Sequence, residues 1–78
     1  MANNENLKIT LNSYIRQLRL SKWYSLNYLE YVSKVTATYI HRIEKWIRKI
    51  PSLTVLEKLA IALDIKTIEL TKLLKNTK

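Results

Sequence analysis

The absence of glycine constrains this chain more than any other feature of its sequence. Its 78 residues include no glycine and one proline, Pro51. Glycine adopts positive φ without steric cost, so tight hairpin turns and phosphate-binding loops depend on it. A glycine-rich phosphate loop is therefore excluded, and a sheet built from such hairpins is disfavoured. The scarcity of turn residues favours short helices joined by brief links.

The charge of the chain is strongly basic. Fourteen Lys and Arg residues against six Asp and Glu residues give a net charge of +8 and a pI near 9.9. A chain of this length forms one small domain. A small domain with such an excess of positive charge typically meets a polyanion such as nucleic acid, and the alternative is that the charge serves solubility alone.

Several classes of chemistry are excluded by the residues that the chain lacks. It has no cysteine, which removes disulfides, thiolate metal sites and cysteine nucleophiles. Its single histidine, His41, has no second histidine or cysteine with which to bind a metal. Because the six acids are also scattered, we predict no enzyme, no catalytic residue, no metal and no cofactor.

The location of the protein follows from two further absences. No segment reaches the roughly 20 apolar residues that a membrane span needs. Residues 1–10 lack the apolar stretch of a signal peptide. We therefore predict a cytoplasmic protein without a membrane partner.

Apolar residues recur every three or four positions in five segments, which is the pattern of amphipathic helices. The segments span residues 9–21, 26–33, 37–45, 53–63 and 67–74. Ser25, Thr36 and Ser52 precede three of them as candidate N-caps. The pattern predicts an all-α fold, a compact bundle of five helices.

The same pattern sets the domain organisation. We predict one helical domain over residues 9–74, a flexible N-terminal segment over 1–8 and a basic tail over 75–78. A basic loop is expected between the third and fourth helices, at 46–50. Three tyrosines are predicted to be buried or half-buried: Tyr14, Tyr28 and Tyr39.

The second and third predicted helices have the proportions of a helix-turn-helix. They are about nine residues each and are separated by about three residues. In that motif the second helix enters the DNA major groove, so it must be apolar behind and polar or basic in front. Here Ile40 and Ile43 share one side, and Thr38, His41 and Arg42 share the other. This spacing predicts a helix that reads base edges.

The order of residues along the chain also matches a known pattern. The matching positions are Ile15-Arg16-x-Leu18-Arg19, Ser25, Leu29, Val35-Thr36-x-Thr38-Tyr39-Ile40-x-Arg42-Ile43-Glu44, Pro51-Ser52-Leu53 and Leu56-Glu57-Lys58-Leu59-Ala60-x-Ala62-Leu63-Asp64-Ile65. On these residues the chain resembles the Cro/C1-type helix-turn-helix domain, the Xre family, over about residues 11–74. The stretch 38–65 looks most similar to SinR-type repressors.

This resemblance implies a fold, an activity and site residues. The implied fold is a lambda-repressor-like domain with its helix-turn-helix at about residues 25–45. The implied activity is specific binding of double-stranded DNA by a transcriptional regulator, a repressor that acts sterically. The positions that would read bases are Ala37, Thr38, His41 and Arg42. The positions that would contact phosphates are Ser25, Leu26, Asn27, Lys45, Arg48 and Lys49. Arg19 and Glu44 match a structural ion pair between the first and third helices.

Each of these side chains also has an ordinary surface role as its alternative. Arg42 either binds guanine through its guanidinium fork or is a solvated helix arginine. His41 either contacts DNA or is an idle exposed ring. Thr38 and Ala37 either meet a thymine methyl group or provide only surface polarity and helix propensity.

Four positions depart from the family pattern. Lys34 stands where the family usually has glycine. Trp46 stands where the family commonly has glycine or asparagine. A left-handed lysine costs about 1 kcal/mol more than glycine, so the turn either keeps that strain or is reshaped. Leu26 replaces a glutamine that clamps phosphate. Glu30 replaces an alanine, and it is expected either to be exposed or to repel phosphate.

The resemblance and the aromatic residues also bear on the partners of the protein. Family members usually bind DNA as two-fold dimers, so a homodimer is expected, at least on DNA. Four aromatic residues are hard to bury in so small a bundle: Trp23, Tyr24, Tyr31 and Trp46. They would form a dimer patch, stack on single-stranded bases or be partly buried. One rival function is an antitoxin that binds a toxin. Another is a protein–protein module, such as an antirepressor, that has lost DNA binding.

Overall fold

The computed structural model describes residues 9–45 and 51–74, which form five helices. These helices are α1 (Leu11–Ser21), α2 (Leu26–Ser33), α3 (Ala37–Lys45), α4 (Leu53–Ala62) and α5 (Thr67–Thr71). The predicted all-α, five-helix fold is confirmed, including the helix-turn-helix of α2 and α3. The predicted flexible start at 1–8, the basic loop at 46–50 and the basic tail at 75–78 lie outside the described residues.

Hydroxyl side chains start the helices as the sequence predicts. Ser25 accepts a hydrogen bond from the Tyr28 amide, and Ser52 accepts one from the Val55 amide. Such a bond satisfies one of the backbone donors that the first helical turn leaves unpaired. The local residue type is therefore enough to fix where α2 and α4 begin.

Three helix ends differ from the prediction, and the smallest difference is that α4 ends at Ala62 rather than residue 63. The first helix begins at Leu11 rather than residue 9, because Thr10 caps it and forms a reciprocal capping box with Ser13. The last helix ends at Thr71 rather than residue 74. There the chain tightens, since the Leu73 amide donates to the Leu70 carbonyl three residues earlier, at 3.0 Å.

The core is a single cluster to which all five helices contribute. Each helix supplies at least one fully buried apolar side chain, as Ile15, Leu29, Ile40, Leu59 and Leu70 illustrate. Helix α3 packs against α1 and α2, and α4 packs against α2 and α5. Burial of these aliphatic side chains is the main stabilising contribution to a small domain without disulfides.

The prediction for Tyr28 is wrong. The sequence predicts a buried or half-buried side chain, but Tyr28 is one of the exposed large side chains of the domain. The reason is helical geometry, since Tyr28 directly precedes the buried Leu29 and therefore points about 100° away from it.

No helix within 9–45 or 51–74 is long and apolar enough to cross a membrane.

Three residues other than glycine take left-handed backbone conformations where helices end. Trp23, Lys34 and Asp64 have φ values of 62°, 69° and 62°. Helices commonly end on such a residue, which is usually glycine. Lys34 therefore keeps the left-handed turn of a helix-turn-helix, and its amide donates to the Glu30 carbonyl at 2.8 Å. The turn is not reshaped by the missing glycine.

Replacing Trp23 with glycine is expected to stabilise the domain by about 0.5–1 kcal/mol. The left-handed backbone is strained for tryptophan, and part of the gain is offset by the extra freedom of unfolded glycine. Little packing is lost, because 93% of the Trp23 surface is exposed. The melting temperature should rise by a few degrees. Trp23→Ala is the matched control, and an equal rise in both variants would contradict the role of φ.

Candidate nucleic-acid interface

The exposed side of α3 is the surface that the sequence predicts for reading bases. Ile40 and Ile43 are buried against the core, which fixes the rotation of the helix. The four polar residues on the other side are all exposed: Thr38, His41, Arg42 and Lys45. Ala37, at the start of the helix, is half-buried. The fold thus presents short and basic side chains together on one helical face.

A shallow open groove joins α3 to the start of α2. Its lining includes Ala37, Thr38 and His41 from α3. The opposite wall consists of Ser25, Leu26 and Asn27. Residues that the sequence assigned to bases and residues that it assigned to phosphates therefore lie side by side.

A second groove runs on the other side of α3 and brings in α1. It is lined by Arg16, Arg19, Leu26, His41, Glu44 and Lys45. Arg16 is exposed beside Lys45, and the sequence prediction omitted it from the site. Its position on the polar side of the first helix was the available signal. Arg48 and Lys49, two predicted phosphate contacts, and Trp46 lie outside the described residues.

Arg19 and Glu44 form a bidentate ion pair beneath this surface. Arg19 Nε lies 2.6 Å from Glu44 Oε2, and Nη2 lies 2.8 Å from Oε1. Both side chains are buried, at 10% and 2% exposure. The hydrogen bond to Glu44, reinforced by its charge, raises the pKa of Arg19 although burial opposes the rise. Nη1 also donates to the Tyr24 carbonyl at 2.8 Å, so one guanidinium ties α1 to α3 and to the start of α2.

The first turn of α3 is capped from two sides. Thr36 Oγ1 accepts a hydrogen bond from the Tyr39 amide at 3.2 Å, as predicted for an N-cap. Glu30 Oε1 accepts one from the Ala37 amide at 2.8 Å, across the turn from α2. Glu30 is exposed, which is one of its two expected outcomes. The sequence prediction missed its bond to α3, which depends on how the turn folds.

Three tyrosine rings follow one another at the start and along the surface of α2. Tyr28 and Tyr31 are exposed, and Tyr24, which precedes the helix, is half-buried. The ring centroids of Tyr24 and Tyr28 are 4.8 Å apart, and those of Tyr28 and Tyr31 are 6.2 Å apart. Lys34 Nζ lies 5.5 Å from the centre of the Tyr31 ring, which is a cation–π distance. Tyr31 is 71% exposed. We call Tyr24, Tyr28 and Tyr31 the tyrosine row.

The electrostatic balance of the α3 surface is positive. Arg16, Arg42 and Lys45 carry exposed charges there. Both nearby carboxylates already hold internal partners, since Glu44 binds Arg19 and Glu30 binds the Ala37 amide. Within the described ranges no three His, Cys, Asp or Glu side chains gather as metal ligands. The surface thus carries positive charge around a centre of polar side chains.

Comparison with known proteins gives consistent matches. A family model described as helix-turn-helix matches residues 15–70. The crystal structure of SinR, a master regulator of biofilm formation, in complex with DNA is 32% identical, covers 80% of this chain and 98% of its own, and has a TM-score of 0.73. No curated protein sequence matches the chain.

Two further solved structures are similar over the same region. The restriction-modification controller protein C.AhdI from Aeromonas hydrophila is 33% identical, covers 77% of this chain and 89% of its own, and has a TM-score of 0.70. The N-terminal DNA-binding domain of SinR from Bacillus subtilis is 34% identical and has a TM-score of 0.67. The match covers 76% of this chain and 86% of the SinR domain.

Proposed function

The chain belongs to the Cro/C1-type helix-turn-helix family of DNA-binding transcription regulators, and we propose that α3 reads the major groove of duplex DNA. The observation that carries this proposal is the exposed, basic side of α3 next to the start of α2. An α-helix fits the major groove, and the residues on its exposed side meet the base edges.

The proposed base contacts follow from the chemistry of each side chain. Arg42 offers a planar fork that matches the O6 and N7 acceptors of guanine. Thr38 and Ala37 present methyl groups, which suit the methyl group of thymine. The imidazole of His41 offers a hydrogen bond in the same row. Together they would read adjacent base pairs in one half-site.

The proposed phosphate contacts surround the proposed base contacts. The Ser25 hydroxyl accepts from the Tyr28 amide, which leaves its own proton free to donate to a phosphate. Asn27 offers amide donors at the same end of α2, and Lys45 offers charge at the end of α3. We add Arg16, because it lies beside Lys45 in the second groove. Arg48 and Lys49 complete the proposed set.

The affinity of the protein for DNA is expected to fall steeply with salt. About five phosphates neutralised per subunit predict that log K falls with log salt at a slope of about −4 to −5, because bound counterions are released. Fluorescence anisotropy with a labelled duplex between about 50 and 200 mM salt measures this slope. A slope near zero would contradict phosphate binding by these cations.

A repressor of this kind would act as a homodimer on DNA, in the cytoplasm where bacterial DNA lies. Two-fold symmetric sites need two reading helices about one helical turn apart. Apolar side chains that are exposed and could serve in pairing include Ile61 on α4, Ile68 on α5 and the tyrosine row. Occupation of the operator by the dimer would block other proteins sterically.

A protein partner, such as a toxin or an antagonist, is a second candidate. The observation that favours it is the tyrosine row, since exposed aromatics are enriched at protein interfaces. Charge reversal at Arg48 and Lys49 separates the two functions. It should abolish DNA binding and leave a partner on the outside of α2 in place.

A further inference from the structure

Glu30 connects both helices of the helix-turn-helix through two different groups. Its backbone carbonyl accepts a hydrogen bond from the Lys34 amide at 2.8 Å, where α2 ends. Its carboxylate accepts a hydrogen bond from the Ala37 amide at 2.8 Å, seven residues further along, where α3 begins. A single residue therefore holds both sides of the turn.

The bond to Ala37 fixes the beginning of the reading helix. The first amides of a helix have no partner within it, and an unpaired amide leaves the first turn free to fray. Thr36 pairs with the Tyr39 amide, and Glu30 pairs with the Ala37 amide. A bond to an ionised acceptor is roughly twice as strong as a neutral one, and the helix dipole favours an anion at this end.

The two helices of the motif are capped differently. Neutral Ser25 caps α2, whereas anionic Glu30 caps α3. A helix N-terminus attracts phosphate, but a carboxylate already bound to it repels one. The charge of Glu30 thus leaves the start of α2 as the end that a phosphate approaches.

We propose that Glu30 is a positioning residue for DNA recognition. It fixes the first turn of α3, where Ala37 and Thr38 face the bases, and it keeps phosphates away from that turn. The register of α3 along the groove then depends on a side chain that need not touch DNA. This inference rests on the proposed function of α3.

Two substitutions separate the hydrogen bond from the charge. Glu30→Gln keeps an acceptor for the Ala37 amide and removes the charge, whereas Glu30→Ala removes both. Each variant is compared with the wild type by selection from random duplexes and by anisotropy on the selected sequence. The amide proton shift of Ala37, measured by NMR, reports the hydrogen bond directly.

We expect the two variants to differ in kind. Glu30→Gln should keep the base preferences and bind about two- to fivefold more tightly, because a repulsive charge is gone. Glu30→Ala should lose about fivefold of its preference at the base pairs that face Ala37 and Thr38, since the hydrogen bond that holds the first turn of α3 is lost. Its preference at the base pair that faces Arg42 should persist.

The matched control is Glu57→Gln, which makes the same change of charge at an exposed position on α4. It should leave base preferences and affinity close to those of the wild type. If Glu30→Ala keeps every preference of the wild type, the positioning role is wrong while the proposed function stands. If the wild type selects no duplex, both the positioning role and the proposed function are wrong. If the amide proton shift of Ala37 is unchanged in Glu30→Ala, Glu30 does not cap α3.

Discussion

Replacing Glu44 with alanine is expected to destabilise the domain by about 3–5 kcal/mol, because it leaves a charged Arg19 buried without its partner. A domain of this size has a total stability of about 5–15 kcal/mol, so the loss is a large fraction of it. The melting temperature should fall by roughly 12 °C or more, as measured by circular dichroism. α3 loses its tie to α1 in the same step.

Two further variants test whether the loss of stability comes from the buried ion pair. Glu57→Ala removes an exposed acid and should change stability by no more than about 0.5 kcal/mol. The double variant Arg19→Met with Glu44→Leu should recover most of the loss, because apolar side chains of similar size often replace a buried pair without penalty. A fall of less than about 1 kcal/mol in Glu44→Ala would show that water solvates Arg19 in the folded state.

Replacing Arg42 with alanine is expected to weaken binding to the selected duplex by about 1–3 kcal/mol, or roughly five- to 150-fold. The loss should be confined to sequences with guanine at one position of the half-site, because only guanine offers both acceptors to the fork. Arg42 is exposed, so the stability of the domain should not change. Anisotropy on duplexes altered at each position measures the effect.

The matched controls distinguish base recognition from charge. Arg42→Lys keeps the charge and loses the fork, so it should lose most of the same preference. Lys45→Ala should weaken all duplexes about equally and reduce the salt slope by about 1. If Arg42→Ala behaves like Lys45→Ala, Arg42 contacts phosphate rather than a base.

Local sequence predicted those parts of the fold that depend on neighbouring residues. Ser25 and Ser52 cap their helices through the amide three residues ahead, so residue type alone indicates the start. The burial of Ile40 and Ile43 follows from their spacing, which in turn predicts that Arg42 is exposed. The side chain of Tyr28 is exposed although tyrosine is often half-buried, because its position lies about 100° around the helix from the buried Leu29.

Contacts between distant residues were not predictable from pattern. Arg19 and Glu44 are 25 residues apart, and their pairing was implied only by resemblance to a family. The bond from the Ala37 amide to Glu30 spans seven residues across the turn at Lys34, whose left-handed backbone was indicated only by resemblance to a family. The sequence therefore indicated which side of α3 is exposed, while the contacts that hold α3 in place appear only in three dimensions.

Selection of random duplex DNA by the purified protein, at about 150 mM salt and followed by sequencing, tests DNA reading by α3 most directly. Wild-type protein should enrich a two-fold symmetric motif whose half-sites lie about 10–10.5 base pairs apart, and Arg42→Ala should lose one guanine from each half-site. Wild-type protein that enriches no motif and retains DNA only weakly would contradict sequence-specific binding.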